Sequence, residues 1–144
     1  MISTAIICIG TRDHLASVRT LLQSARKHAA EASRFALLID SVGAESVEGL
    51  SYAEVLRPED MLSASDFETL SRKYTASEFC FAMKAPVIRF LLTRGFERVL
   101  YLDADTWILG SLDGVLGEMA GAAVLLSPHW RPGTGLGAGY CGEI

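Results

Sequence analysis

Residues 5–9 form an unbroken apolar run that stops at Gly10, and Leu15, Val18, Leu22, Ala25 and Ala29 follow it at spacings of three and four. A run that short and rich in isoleucine reads as a buried strand, whereas the second pattern lays one apolar stripe along a helix, with Asp13 as its N-cap. Residues 35–39 are another apolar run, closed by Asp40 and the turn-like Ser41-Val42-Gly43. Strands separated by a helix run parallel, because the crossover returns the chain to its starting edge. The pattern predicts an α/β domain whose mainly parallel sheet is flanked by helices, with Asp40 at a carboxyl end of that sheet.

Further elements follow in the same style. Residues 53–56 make a weaker third strand, stopped by Arg57-Pro58. Ser65 and Glu68 have the spacing of a capping box before a short helix to about Lys73, and Thr75 and Glu78 repeat it before a helix carrying Phe79, Ala82 and Met83 up to Lys84. Pro86 then predicts a kink or a fresh helix start, with Val87, Phe90 and Leu91 buried and Gly95 as the stop. Residues 99–102 read as a central strand buried on both faces, Trp107-Ile108-Leu109 as a strand-like run, residues 112–119 as a short helix and residues 122–126 as a fifth strand. Residues 132–144 hold five of the chain's thirteen glycines without periodicity, so a domain over 1–131 and a flexible glycine-rich tail over 132–144 are expected.

Composition narrows the function classes. With 144 residues, half of them hydrophobic, the chain is expected to bury one core. A net charge of −4 without a basic cluster argues against nucleic acid and against polybasic membrane attachment. Cys8, Cys80 and Cys141 are widely spaced, which disfavours a zinc site and fits a reducing compartment, with Cys8 and Cys80 as core fillers. The first apolar run lacks a cationic flank and is too short for a signal peptide or a membrane span, so a cytoplasmic protein without a transmembrane segment is expected.

The chemistry concentrates in Arg98-Val-Leu-Tyr-Leu-Asp-Ala-Asp105, where an apolar run stops at two carboxylates spaced i, i+2. On an extended chain Asp103 and Asp105 point the same way, and two like charges aimed at one spot are relieved by a hard divalent cation, Mg²⁺ or Mn²⁺. The plainer alternative is a solvated turn whose carboxylates accept backbone hydrogen bonds.

Together, the opening strand-loop-helix, the helix from Glu78-Phe79-Cys80 through Lys84 and the 98–105 stretch resemble nucleotide-sugar glycosyltransferases of the GT-A fold. The nearest look-alikes are the retaining, glycogenin-like and lipopolysaccharide-galactosyltransferase-like group. The resemblance spans roughly residues 4–129, with its specificity in residues 98–113. It implies a Rossmann-like donor-binding domain for a nucleotide diphosphate sugar, UDP-sugar foremost, and a glycan or lipid-linked acceptor in polysaccharide assembly. It also implies that Asp105 ligates Mn²⁺ (or Mg²⁺) directly and that Asp103 contributes to metal and ribose binding. The Gly10-Thr11-Arg12 loop would receive the base, and Lys84 would face the donor diphosphate or sugar. If the transfer is retaining, the resemblance further implies that no protein base need lie in this segment, since the leaving diphosphate could itself accept the acceptor's proton. Without the resemblance, Lys84 reads as a lysine extended along a helix end, Thr11 as a capping residue and His129 as an incidental loop histidine.

The chain departs from the family in lacking the downstream histidine ligand and the acceptor-binding half, so a truncated donor-binding front is expected. Two rivals remain. One is a non-catalytic nucleotide-binding fragment; the other is a haloacid-dehalogenase-like phosphohydrolase, which also places D-x-D after a strand. Against the hydrolase, its motif carries threonine or valine at the fifth position, where this chain has Trp107, and about a hundred residues precede the motif here.

Overall fold

The structure, a computed structural model, describes residues 2–40 and 49–127. It divides into two compact units, one ending at Asp113 and one beginning at Gly114. In the first unit β1 (Thr4–Gly10) is followed by a single 3₁₀ turn, α1 (Leu15–His28), β2 (Ser33–Leu38) and β3 (Glu54–Leu56). Then come α2 (Ala64–Lys73), α3 (Ala76–Ala82), α4 (Lys84–Thr93) and β4 (Arg98–Tyr101). All pairings are parallel, and the strand order is β3-β2-β1-β4.

Alternation along β1 explains why helices lie on both faces. Ala5, Ile7 and Ile9 join Phe35, Leu37 and Leu56 against Phe79 of α3, Met83 at the α3–α4 junction, and Val87 and Leu91 of α4. Ile6 and Cys8 point the other way, onto Val18, Leu21, Leu22 and Ala25 of α1. Every residue from Ala5 to Gly10 is buried, as befits a strand paired on both edges and covered on both faces. Burial pushes the Cys8 thiol up to about 12, so it behaves as a small apolar filler.

The turn chemistry matches the sequence in some places and shifts in others. Thr75 and Glu78 form the expected capping box: Glu78 accepts from the Thr75 amide at 2.9 Å and from its hydroxyl at 2.8 Å. Those bonds hold the Glu78 carboxyl below its usual range. The preceding cap begins two residues earlier than expected, since Ser63, not Ser65, accepts the Asp66 amide. Asp13 does not cap α1; it lies inside the 3₁₀ turn Arg12–His14, and His14 takes the cap position. Pro86 sits in the first turn of α4, where its missing N–H costs nothing. At the other end Gly95, at φ +94°, and Phe96 return their amides to Leu92 and Leu91 at 3.1 and 3.3 Å, closing a Schellman motif. Phe96 then meets Phe35 edge-on, 5.3 Å between centroids.

Three strand expectations are corrected. β4 is not central among the described residues: it pairs with β1 alone and all four of its residues are half-buried. Neither Trp107-Ile108-Leu109 nor residues 122–126 form a strand. Apolar content misled in both places, because a strand also needs a ladder partner. Trp107 and Leu109 stay exposed while only Ile108 is buried, and Val124, Leu125 and Leu126 are exposed. In the second unit a short helix, α5 (Asp113–Glu118, opening on the last residue of the first), continues into a 3₁₀ turn to Gly121. Cys141, His129 and the glycine-rich stretch 132–144, including its expected boundary at 131, lie outside the described residues. No helix among the described residues is long and apolar enough to cross a membrane.

Candidate functional site

β1 continues to β2 and β3 on one side, while β4 joins it on the other. Open α/β sheets take their ligands beyond the carboxyl ends of the two strands that flank such a reversal. Here the strands are β1 and β4, registered Ile7 against Tyr101, with the Leu102 amide donating to the Ile7 carbonyl at 3.0 Å. The loop leaving β1 carries Gly10-Thr11-Arg12, and the loop leaving β4 carries Asp103 and Asp105. Gly10 is needed at the first exit because a Cβ there would lie 2.7 Å from a methyl of buried Val18.

Both carboxylates lie past the last strand residue, in a turn closed by the Thr106 amide donating to the Asp103 carbonyl at 2.9 Å. Strand alternation therefore does not decide where they point, which corrects that part of the expectation. The turn is held from behind by Ser24, a buried polar side chain on α1 that accepts the Ile108 amide at 3.1 Å and donates to the Leu21 carbonyl at 2.6 Å. Its signal in the sequence is a serine inside the apolar stripe of a helix.

Asp103 is the polar centre of this mouth. Its Oδ1 accepts the Tyr101 hydroxyl at 2.8 Å and the Lys84 ammonium at 3.1 Å. Lys84 also sits 4.6 Å from the Tyr101 ring centroid and 4.8 Å from that of Phe81. Burial first, then the hydrogen bond to Asp103, raises the tyrosine's proton affinity, so Tyr101 remains a donor throughout the physiological range. Tyr101 and Phe81 were not singled out in the sequence. Phe81 stands at a readable spacing, i, i+3 from Lys84 across the α3–α4 junction, whereas Asp103 lies past the strand end, so alternation does not announce its contact with Tyr101.

Asp40, at the end of β2 as expected, accepts the Arg12 amide on both oxygens, at 3.0 and 2.8 Å, tying the β1 loop to the sheet. Half-buried Cys80 stands within electrostatic reach of both sides: burial and then Asp40 raise its thiol pKa, while Lys84 opposes them. Thr11 lies at the β1 exit, but its hydroxyl meets His14 Nδ1 at 2.8 Å, a local contact. Of the expected site residues, Lys84 and Asp103 are thus brought together directly. Asp105 is exposed beside them, with no hydrogen bond or ion pair among the described residues.

The two carboxylates are hard oxygen donors of the kind Mg²⁺ and Mn²⁺ take, and no group of three or more possible ligands exists among the described residues. Such a donor set fits a cation that completes its shell with phosphate oxygens and water, the usual mode for Mg²⁺ bound with a nucleotide.

No protein-family model matches the chain, and no characterised protein sequence is significantly similar to it.

Proposed function

We propose that this chain is a metal-dependent glycosyltransferase, or the donor-binding part of one, which takes a nucleotide diphosphate sugar, UDP-sugar foremost, and passes the sugar to a glycan or lipid-linked acceptor. The observation that carries the reading is the position of Asp103 and Asp105 at the carboxyl end of β4, across the switch point from the Gly10–Thr11 exit of β1. Asp105 and Asp103 would hold Mn²⁺ or Mg²⁺ against the diphosphate. When bound, that cation supplies Lewis-acid neutralisation of the departing diphosphate.

The remaining work falls to the chain's own residues. The β1 loop, anchored by Asp40, offers a fixed edge for the base and ribose. Lys84, on a rigid helix start, supplies a positive charge that can reach a phosphate oxygen. Tyr101 and Ser24 hold the acidic turn from its two sides, so that little reordering is needed when the donor enters. The few and widely spaced cysteines of the sequence are in keeping with a reducing, cytoplasmic setting.

A panel of UDP-, GDP- and CDP-sugars incubated with the chain and Mn²⁺ tests the reading. We expect one donor class to bind and to be slowly hydrolysed to the nucleoside diphosphate. Binding without turnover would favour the non-catalytic nucleotide-binding module, and release of phosphate from a generic phosphomonoester instead would favour the phosphohydrolase.

A further inference from the structure

We propose that Lys84 is the resident counter-cation of Asp103: it holds that carboxylate while the site is empty and leaves it for the donor's diphosphate, so that metal and nucleotide bind cooperatively. The inference rests on the donor-site reading above and adds a role that it does not require.

Three features of the site point this way. The ammonium and the carboxylate are 3.1 Å apart, with side chains 31% and 62% exposed, so the pair is close but readily exchanged. The ammonium also lies over the Tyr101 and Phe81 rings, at 4.6 and 4.8 Å, a cradle that attracts a cation without fixing it directionally. Finally, Lys84 stands at the α3–α4 junction, where the negative end of one helix meets the positive end of the next, so the helix ends offer its ammonium no net attraction. Its favourable partners are the carboxylate and the two rings, and its flexible stem lets the head group move while the helix stays still.

The consequence is a sign that a structural ion pair would not produce. A divalent cation at the acidic turn is repelled by an ammonium already there, so bare metal binding is weakened by Lys84. A diphosphate draws the ammonium away and removes that penalty. By reciprocity the metal must raise nucleotide affinity by the same factor.

The experiment is a Mn²⁺ titration, read by the electron paramagnetic resonance signal of the free ion, on wild type, Lys84→Met and Lys84→Gln, each with and without UDP. Circular dichroism establishes that each sample is folded. Removing the ammonium is expected to tighten Mn²⁺ binding without nucleotide by roughly three- to tenfold. UDP's enhancement of Mn²⁺ affinity should shrink by a similar factor. Unchanged or weaker bare Mn²⁺ binding in the folded variants, with wild type still binding UDP through Mn²⁺, overturns the proposal and leaves the donor reading intact. Loss of fold in both variants would make Lys84 a structural residue and also overturn it. Absence of any Mn²⁺-dependent UDP binding by wild type removes the donor reading, and this inference with it.

Discussion

Asp105→Ala is expected to lower Mn²⁺-dependent affinity for UDP by at least about 100-fold, since loss of even an outer partner of a metal ligand typically costs 10–100-fold. The side chain is exposed and makes no hydrogen bond or ion pair among the described residues, so its removal should leave the melting temperature within about 2 °C of wild type. That combination separates a ligand from a structural turn residue. An aspartate that merely solvates its turn would leave UDP binding unchanged. Titration calorimetry with UDP and Mn²⁺, beside a thermal melt, decides between them.

The largest effect on stability should come from Met83→Ala. Met83 is fully buried and packs with Ile7, Phe79, Val87 and Leu91 between the sheet and the α3–α4 pair. It also joins the two helices, because its amide donates to Phe79 and its carbonyl accepts from Val87, at 3.0 and 3.1 Å. Truncating a buried side chain of this size costs about 2–5 kcal/mol, which lowers the melting temperature by roughly 10 °C in a domain of this length. Phe81, two residues earlier and 64% exposed, provides the contrast: Phe81→Ala should cost less than about 1 kcal/mol. Denaturant unfolding of both variants checks the pair, and a Met83→Ala cost no larger than that of Phe81→Ala would contradict the described packing.

Buried strands and strong caps were legible because each is written locally. Residues 5–9 and 35–39 are apolar throughout, and Thr75 with Glu78 and Pro86 with Gly95 carry chemistry that only a helix start or end uses. What failed depended on partners distant in sequence. Residues 107–109 and 122–126 have strand-like side chains, yet Ile108 gives its amide to Ser24, 84 residues earlier, rather than to a ladder. β4 looked central because Val99 to Leu102 are apolar, but apolar character does not report how many neighbours a strand has.

The site divides along the same line. Asp103, Asp105 and Lys84 were readable as residue types in a motif. The pairing of Lys84 with Asp103 joins α4 to the end of β4 and needs the fold. Ser24 and the Asp40 clamp on Arg12 also span separate elements, and nothing in their local sequence announces the partner.

Calorimetric titration of UDP into the folded full chain, once in saturating Mn²⁺ and once in EDTA, tests the central claim most directly. Saturable binding in Mn²⁺ that vanishes in EDTA is the predicted result. Failure of UDP, and then of every other nucleoside diphosphate, to bind in the presence of Mn²⁺ would contradict it.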